Sequence, residues 1–333
     1  MSEVWSQILK NMPEANFLQS PLWAEANRLE GHKLVVRTFE DKALVLGIVK
    51  DARRGRYLEI PGGPLVDWHD KAEVKKVFEE VLGIAREEKC VFVRFRPQLE
   101  KTPENEKLVK SLKDIKGLDL RPAPMHLHAQ NTVILDLTKT EEELLMGMRR
   151  QTRYEVRRSE KLGLQVKEDS SESAFREFHQ VQAETAKRQN FIPPSLKELL
   201  AEREAFSPDH LKLYKVETAD GEAVAYGLIL IYGREAEYFE AASTDLNRKL
   251  PGAYALLWQA VRDLKQAGLE RFNLWGIAPP GAEHHRYSGV TTFKTGFGGE
   301  VVEFIPAQDI VINKMRYRLD EIVENARKKK RNL

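Results

Sequence analysis

The sequence is poor in the residue types that announce a chemistry. It holds one cysteine, Cys90, so no disulfide can close within the chain and no thiolate pair is available for zinc or redox work. No apolar run approaches the roughly 18–20 residues of a bilayer-spanning helix. The stretch Met1–Gln7 lacks a basic segment followed by an apolar one, so no secretory signal is expected. An excess of one charge is missing too: 53 Lys and Arg against 51 Asp and Glu leave +2, which excludes a uniformly basic nucleic-acid coat. Metal ligands are thin. His126 and His128 are expected on one face of a short strand and His284-His285 in a loop, with no His-x-x-x-His on a helix. Neither a nucleophile elbow nor a Ser-His-Asp set is present. No metal, no cofactor and no covalent intermediate is expected, in a cytoplasmic protein of ordinary globular composition.

What the chain does have is a repeated pattern. Alternating runs at Lys33–Phe39 and Ala43–Val49 read as a hairpin across Glu40-Asp41-Lys42, followed by a strand at Tyr57–Ile60. An amphipathic helix over Lys71–Glu87 and a strand at Val91–Phe95 complete the unit. The second half repeats the order: strands at Leu211–Val216, Val224–Ile231 and Glu237–Ala242, a helix over Ala253–Gln266, and a strand at Arg271–Trp275. The two copies are offset by about 180 residues, a repeat of pattern rather than of letters. Three meandering strands, a helix and another strand make an α/β unit of the acetyltransferase-like (GNAT) kind. Between the copies, Asn131–Leu137 reads as a strand and Thr140 as an N-cap before an acidic first turn. A basic helix ending at Gly163 follows, then helices over Glu172–Arg188 and Ser195–Arg203. Val301–Phe304 reads as a strand, and Lys314–Lys330 as a terminal helix whose stripe Met315, Leu319, Ile322 and Val323 is expected to be buried. The expected domains are 1–140 with 305–333, and 141–304.

Three stretches carry candidate chemistry. Phe293-Lys294-Thr-Gly-Phe-Gly-Gly299 sets a lysine beside an aromatic at the start of a Gly-rich turn, where backbone can approach a substrate closely. A helix ending in a glycine cap is the alternative there. The basic helix steps Arg149, Arg153, Arg157 and Lys161 along one ridge, with Arg150, Tyr154 and Arg158 on the next. That surface suits a phosphate backbone, with the tyrosine able to stack on a base; a solvated charged face is the alternative. The cluster Arg327–Arg331 suits a helix end or an anionic membrane surface. Where acyl-CoA would need Gly-x-Gly/Ala to cradle its pyrophosphate, the chain reads Arg248-Lys-Leu-Pro-Gly-Ala-Tyr254, and proline and tyrosine spoil the loop.

With those residues in place the chain resembles the FemABX family, aminoacyl-tRNA-dependent transferases that build peptidoglycan cross-bridges, and within it the short FemX-like members. Gln19-Ser-Pro-Leu-Trp23, Gly63-Pro64-Leu-Val-Asp67 and Phe92-Val-Arg94-Phe-Arg96-Pro97 are similar to family stretches in the first half. So are Met125-His126 with Val133–Thr138, and the basic helix that opens the second half. Phe272–Ile277 followed by Phe293-Lys294-Thr-Gly-Phe297 is similar to the family's Tyr-Asp-x-Gly-Gly…Phe-Lys-x-x-Phe signature. Asn273 stands where the family usually has aspartate and Trp275 where it has glycine; Glu25 stands near a lysine that binds the acceptor's diphosphate.

The resemblance implies two tandem GNAT-like domains, a C-terminal helix returning to the first, and no long coiled-coil arm. It implies transfer of an amino acid from aminoacyl-tRNA to the side-chain amine of a muramyl-peptide, UDP-linked or lipid-linked, in the cytoplasm or at the inner face of the membrane. Lys294 would stabilise the developing oxyanion, with Phe293 positioning it. Arg94, Arg188, Tyr238 and Trp23 are the candidates for acceptor binding, the first domain being assigned to the acceptor. Arg149, Arg150, Arg153, Tyr154, Arg157 and Arg158 are the candidates for tRNA. The competing readings are a GNAT acyltransferase using acyl-CoA and a non-enzymatic RNA-binding module.

Overall fold

The computed structural model describes residues 3–40, 42–189, 191–282 and 285–331; Asp41 of the expected turn and His284 lie outside them. The chain divides into two compact units. One holds residues 1–131, 280–286 and 303–333, the other 132–279 and 287–302.

The first unit opens with helices α1 (Glu3–Asn11) and α2 (Pro21–Glu30), then strands β1 (Lys33–Phe39), β2 (Ala43–Ala52) and β3 (Gly55–Gly62). Helix α3 (Lys71–Glu87), strand β4 (Phe92–Pro97), helix α4 (Pro103–Lys110) and the short strand β5 (Leu120–Pro122) follow. The chain then builds the second unit from β6 (Asn131–Asp136), α5 (Glu141–Gly147), α6 (Arg150–Lys161), β7 (Gln165–Glu168), α7 (Glu172–Gln189) and α8 (Leu196–Phe206). Strands β8 (Leu211–Glu217), β9 (Ala223–Tyr232) and β10 (Glu235–Ser243), helix α9 (Gly252–Gln266), strand β11 (Arg271–Gly276), helix α10 (Ser288–Thr295) and strand β12 (Glu300–Glu303) complete it. Strand β13 (Gln308–Val311) and helix α11 (Lys314–Arg331) return to the first unit.

The sheets are ordered β1-β2-β3-β4-β13-β5 and β12-β6-β11-β10-β9-β8-β7. In each, an antiparallel meander leads through a helix to a parallel partner: β3 with β4, and β10 with β11. These are the two GNAT-like units that the repeat predicts. The connecting helices form for local reasons. Asp70 caps α3 by accepting the Ala72 and Glu73 amides, and Val74, Val77, Phe78, Val81, Leu82 and Ala85 make one buried face. Thr140 and Glu143 form a reciprocal capping box on α5. Strand β6 adds to the second sheet by antiparallel pairing with β11, although the sequence places it at the end of the first domain. Among the described residues no helix is longer than the 18 residues of α7 and α11, so the second unit carries no long coiled-coil arm.

Two expectations are corrected. His126 and His128 sit in an irregular connection before β6, not on a strand. Burial holds both imidazoles below their ordinary pKa, that of His128 at about 3. Among the described residues no group of side chains is placed to hold a metal ion. The larger correction concerns α11. Met315, Leu319 and Ile322 are 81, 60 and 65% exposed and Val323 is half-buried, while the face turned to the sheet sets the Tyr317 ring on Phe92 and carries Asp320 and Glu324 beside it. Arg94 on β4 and Asp309 on β13 are both buried and make a two-pronged ion pair, 2.8 Å on each arm. Tyr317 of α11 donates its hydroxyl to Asp309 at 2.8 Å, and Glu324 accepts from Arg94 at 2.8 Å. Asp320 pairs with Arg54 at 2.5 Å. A buried ion pair needs polar partners for its remaining donors and acceptors, and an apolar stripe cannot supply them.

Candidate active site

In the second unit the parallel pairing of β10 with β11 covers only Glu235–Glu237 against Arg271–Asn273. Beyond that point both strands leave regular geometry. On β10 the register slips, so that Tyr238 aligns with Ile229 and Glu240 with Leu228. Ile229 and Leu228 are neighbours that point to opposite faces, so the bulge sends Tyr238 and Glu240 to opposite faces as well. Tyr238 joins the core with Leu256 of α9, and Glu240 meets Gln182 of α7. On β11 the register shifts between Asn273 and Gly276, and Trp275 sits at φ +62°, the left-handed region where the family's glycine would be at ease. Asn273 supports this turn. Its Oδ1 accepts the Trp275 amide at 3.0 Å and the Thr132 hydroxyl, while its Nδ2 donates to Glu235 at 3.0 Å. An aspartate at 273 would set a second carboxylate against Glu235, which explains the amide here.

Lys294 lies in the last turn of α10, so the stretch read as the start of a Gly-rich turn is a helix followed by the turn. Phe293 packs against Tyr254 and Phe297, ring centroids 5.0 and 5.4 Å away, and so fixes α10 on α9. The tyrosine that spoils the CoA loop is thus part of this aromatic support. Lys294 itself is buried. Its Nζ donates to the Gly276 carbonyl at 2.9 Å and stands 5.8 Å from the Tyr238 ring centroid. Burial pulls its pKa down to about 7, against the opposing pull of the Glu240 carboxylate. Burial pushes Glu240 up to about 7, against the pull of Lys294 and of the Gln182 amide, 2.7 Å away. A buried cation and a half-buried acid are thus both shifted toward neutral pH, where a proton can be donated to or taken from a bound substrate. Glu240 and Gln182 escape a sequence reading, because an acid within a strand looks solvent-facing until the bulge turns it inward.

The join between α6 and α10 is close. The Arg149 amide donates to the Gly296 carbonyl at 2.8 Å, and the Arg149 guanidinium donates to Thr292 O at 2.9 Å and Thr295 Oγ1 at 3.1 Å. Gly296 has an ordinary helical φ of −62°, so only space restricts it. A Cβ there would fall well inside van der Waals distance of Thr152 Oγ1 and 3.0 Å from Phe293 O. Gly296→Ala is expected to cost about 1–3 kcal/mol and to displace Lys294. Adding Thr152→Ala, which removes the nearer obstruction but not the Phe293 carbonyl, should recover part of the lost melting temperature; no recovery at all would show that the steric account is wrong.

The other expected residues are dispersed. Tyr238 is near Lys294, with its ring against the ammonium. Arg188, toward the end of α7, donates to Ser243 O and Thr185 Oγ1 and lies 3.7 Å from Asp245, tying α7 to the end of β10. In the first unit Arg94 is engaged by Asp309 and Glu324, and Trp23 is buried edge-on to Phe17 and His128. The basic helix sorts into two sets. Arg149, Arg153 and Arg158 donate to backbone carbonyls of α10, of the end of α5 and of Lys249. Arg150, Tyr154, Arg157 and Lys161 are exposed and follow one helical face at i, i+4, i+7 and i+11. No hydrogen bond or ion pair engages Arg150, Arg157 or Lys161 among the described residues, and Tyr154 is 58% exposed.

Known proteins match this architecture. The fold superposes on the crystal structure of FemX with a TM-score of 0.81 at 16% identity, covering 96% of this chain and 98% of that one. A tandem GNAT protein from the clavulanic acid biosynthesis pathway superposes with a TM-score of 0.55 at 11% identity, over 93% and 95% of the two chains. A lipid II:glycine glycyltransferase of Staphylococcus haemolyticus is 26% identical over 206 residues, 56% of this chain and 47% of that protein. The chain thus spans less than half the length of that curated relative. The model of the FemAB family matches residues 2–198 and 193–325, and the chain belongs to that family.

Proposed function

We propose that the protein transfers an amino acid from aminoacyl-tRNA to the side-chain amine of a peptidoglycan-precursor stem peptide, as an aminoacyltransferase. The observation that carries this reading is Lys294, a buried ammonium held by Gly276 O at the place where β10 and β11 part. Aminolysis of an aminoacyl ester forms a C–N bond as the acceptor amine attacks the ester carbonyl. The carbonyl oxygen becomes an oxyanion, the tRNA 3′ oxygen leaves with a proton, and the amine loses one. An ammonium with one proton on Gly276 O has two more to direct at that oxyanion. Glu240 sits in reach of the ammonium's field and favours its charged form against the burial that disfavours it. The exposed set Arg150, Tyr154, Arg157 and Lys161 suits the tRNA backbone and an unstacked base. Family membership and the glycyltransferase relative support the donor and the acceptor class. The acyl-CoA reading fares worse: the Ala253 amide at the start of α9, which a pyrophosphate would need, donates to Asn247 Oδ1 at 3.0 Å.

The test is transfer of label from a mixed pool of aminoacyl-tRNAs to UDP-linked and to lipid-linked muramyl-pentapeptide, with and without RNase. RNase-sensitive label in the peptide is the expected result. Label from acyl-CoA instead would replace the proposal. The pH profile tests the Lys294–Glu240 couple. An ammonium donor is lost as pH rises through its pKa, so kcat/KM should fall on the alkaline side of about 7. Glu240→Gln removes the charge that favours the ammonium, and that falling limb should move to lower pH. A limb that stays in place would mean the two groups do not act together.

A further inference from the structure

The outward face of α11 has no role in the fold or in the transfer chemistry, and its composition is directional. The helix turns Asp320 and Glu324 inward, onto Arg54 and Arg94, and Glu321 lies near Arg121. Outward it presents Met315, Leu319 and Ile322, spaced i, i+4 and i+7 and all exposed. By helical geometry Arg318 and Lys329 flank that stripe on one side and Arg316, Arg327 and Lys330 on the other, all exposed; Asn325, beside Arg318, is uncharged. At the start of the helix a depression of about 620 Å³ continues the same character, with Arg86, Lys89, Lys314 and Arg316 around Ile312 and Met315. An apolar stripe bordered by cations, with its acids turned inward, is complementary to a surface that is apolar below and anionic above.

We propose that α11 is a membrane-surface helix, laying Met315, Leu319 and Ile322 into the headgroup boundary of an anionic phospholipid bilayer while Arg316, Arg318, Arg327, Lys329 and Lys330 meet the lipid phosphates. The inward pairing leaves this face free without unfolding the first unit. The proposal stands apart from the transferase reading, because lipid binding is measured without turnover. Each basic side chain close to an anionic surface is worth about a fivefold gain in binding, so the effect is large and salt-sensitive.

The experiment is co-sedimentation of the full chain with vesicles of phosphatidylcholine alone and of phosphatidylcholine with equal phosphatidylglycerol. Binding to the mixed vesicles is expected to be at least about tenfold tighter and to weaken in high salt. Leu319→Gln with Ile322→Gln, and separately Lys329→Glu with Lys330→Glu, should each reduce it about tenfold or more at an unchanged thermal midpoint. Equal partition to both vesicle types, or variants that bind as the wild type does, would overturn the proposal. So would a concentration-dependent dimer that the glutamine pair dissolves while vesicle binding persists, since the face would then belong to a second copy.

Discussion

Replacing Lys294 with methionine is expected to lower kcat by roughly 10²–10³-fold while tRNA affinity stays near its wild-type value. Methionine keeps the length and apolar stem of the side chain but removes the ammonium, so the packing of Phe293 on Tyr254 and Phe297 is retained. The tRNA face proposed on α6 is untouched. The same variant should be at least as stable as the wild type, because it relieves a charge that burial holds well below its ordinary pKa. Linkage gives that statement a sign. The unfolded chain holds a proton on Lys294 up to about pH 10.4, whereas the folded protein releases it near 7. Between those values the unfolded state binds more protons, so this group makes wild-type stability rise with pH, and Lys294→Met should lose that contribution. Stability kept and turnover lost is the signature of a functional rather than a structural lysine. An active methionine variant in single-turnover transfer would remove Lys294 from the chemistry.

How far the sequence carries can be judged residue by residue. The bounds read for β1 and α3 match the structure, since Val35, Val36, Thr38 and Phe39 favour a strand and the 3.6-residue apolar spacing of α3 marks one buried helical face. The two-fold meander–helix–strand pattern is legible for the same reason. Lys294 is legible as a candidate because its neighbours are an aromatic and glycines, and the helix that holds it is the reading glycine caps allow. Glu240 is not, because a one-residue bulge reverses its side and nothing in the letters marks a bulge between Tyr238 and Glu240. Trp275 shows the converse: its left-handed backbone is invisible in a residue type that avoids that region, and only the Asn273 hydrogen bond explains it. The apolar stripe of α11 misleads because amphipathicity says which side is apolar, not which side faces the protein. The buried Arg94–Asp309 pair, formed between strands more than two hundred residues apart, decides that.

That pair makes the second large prediction. Asp309→Asn is expected to cost about 3–5 kcal/mol, because it leaves the buried Arg94 guanidinium without its two-pronged partner and weakens the acceptor for the Tyr317 hydroxyl. At about 2–4 °C per kcal/mol this lowers the thermal midpoint of the first unit by roughly 10 °C. Glu324 still accepts from Arg94, but it is partly exposed and offers a more screened charge. Arg94→Met alone should cost a similar amount, leaving Asp309 as the stranded charge. The double variant Arg94→Met with Asp309→Leu should recover part of the loss, since no fully buried charge is then left unpaired and the stranded Tyr317 hydroxyl accounts for the remainder. This cycle also separates two uses of Arg94. A substrate-binding arginine would raise KM while leaving the melting temperature in place, and no second substitution at Asp309 would repair it. An arginine that anchors α11 to β4 and β13 would lower the melting temperature first and regain part of it in the double variant, which is the outcome the buried geometry requires.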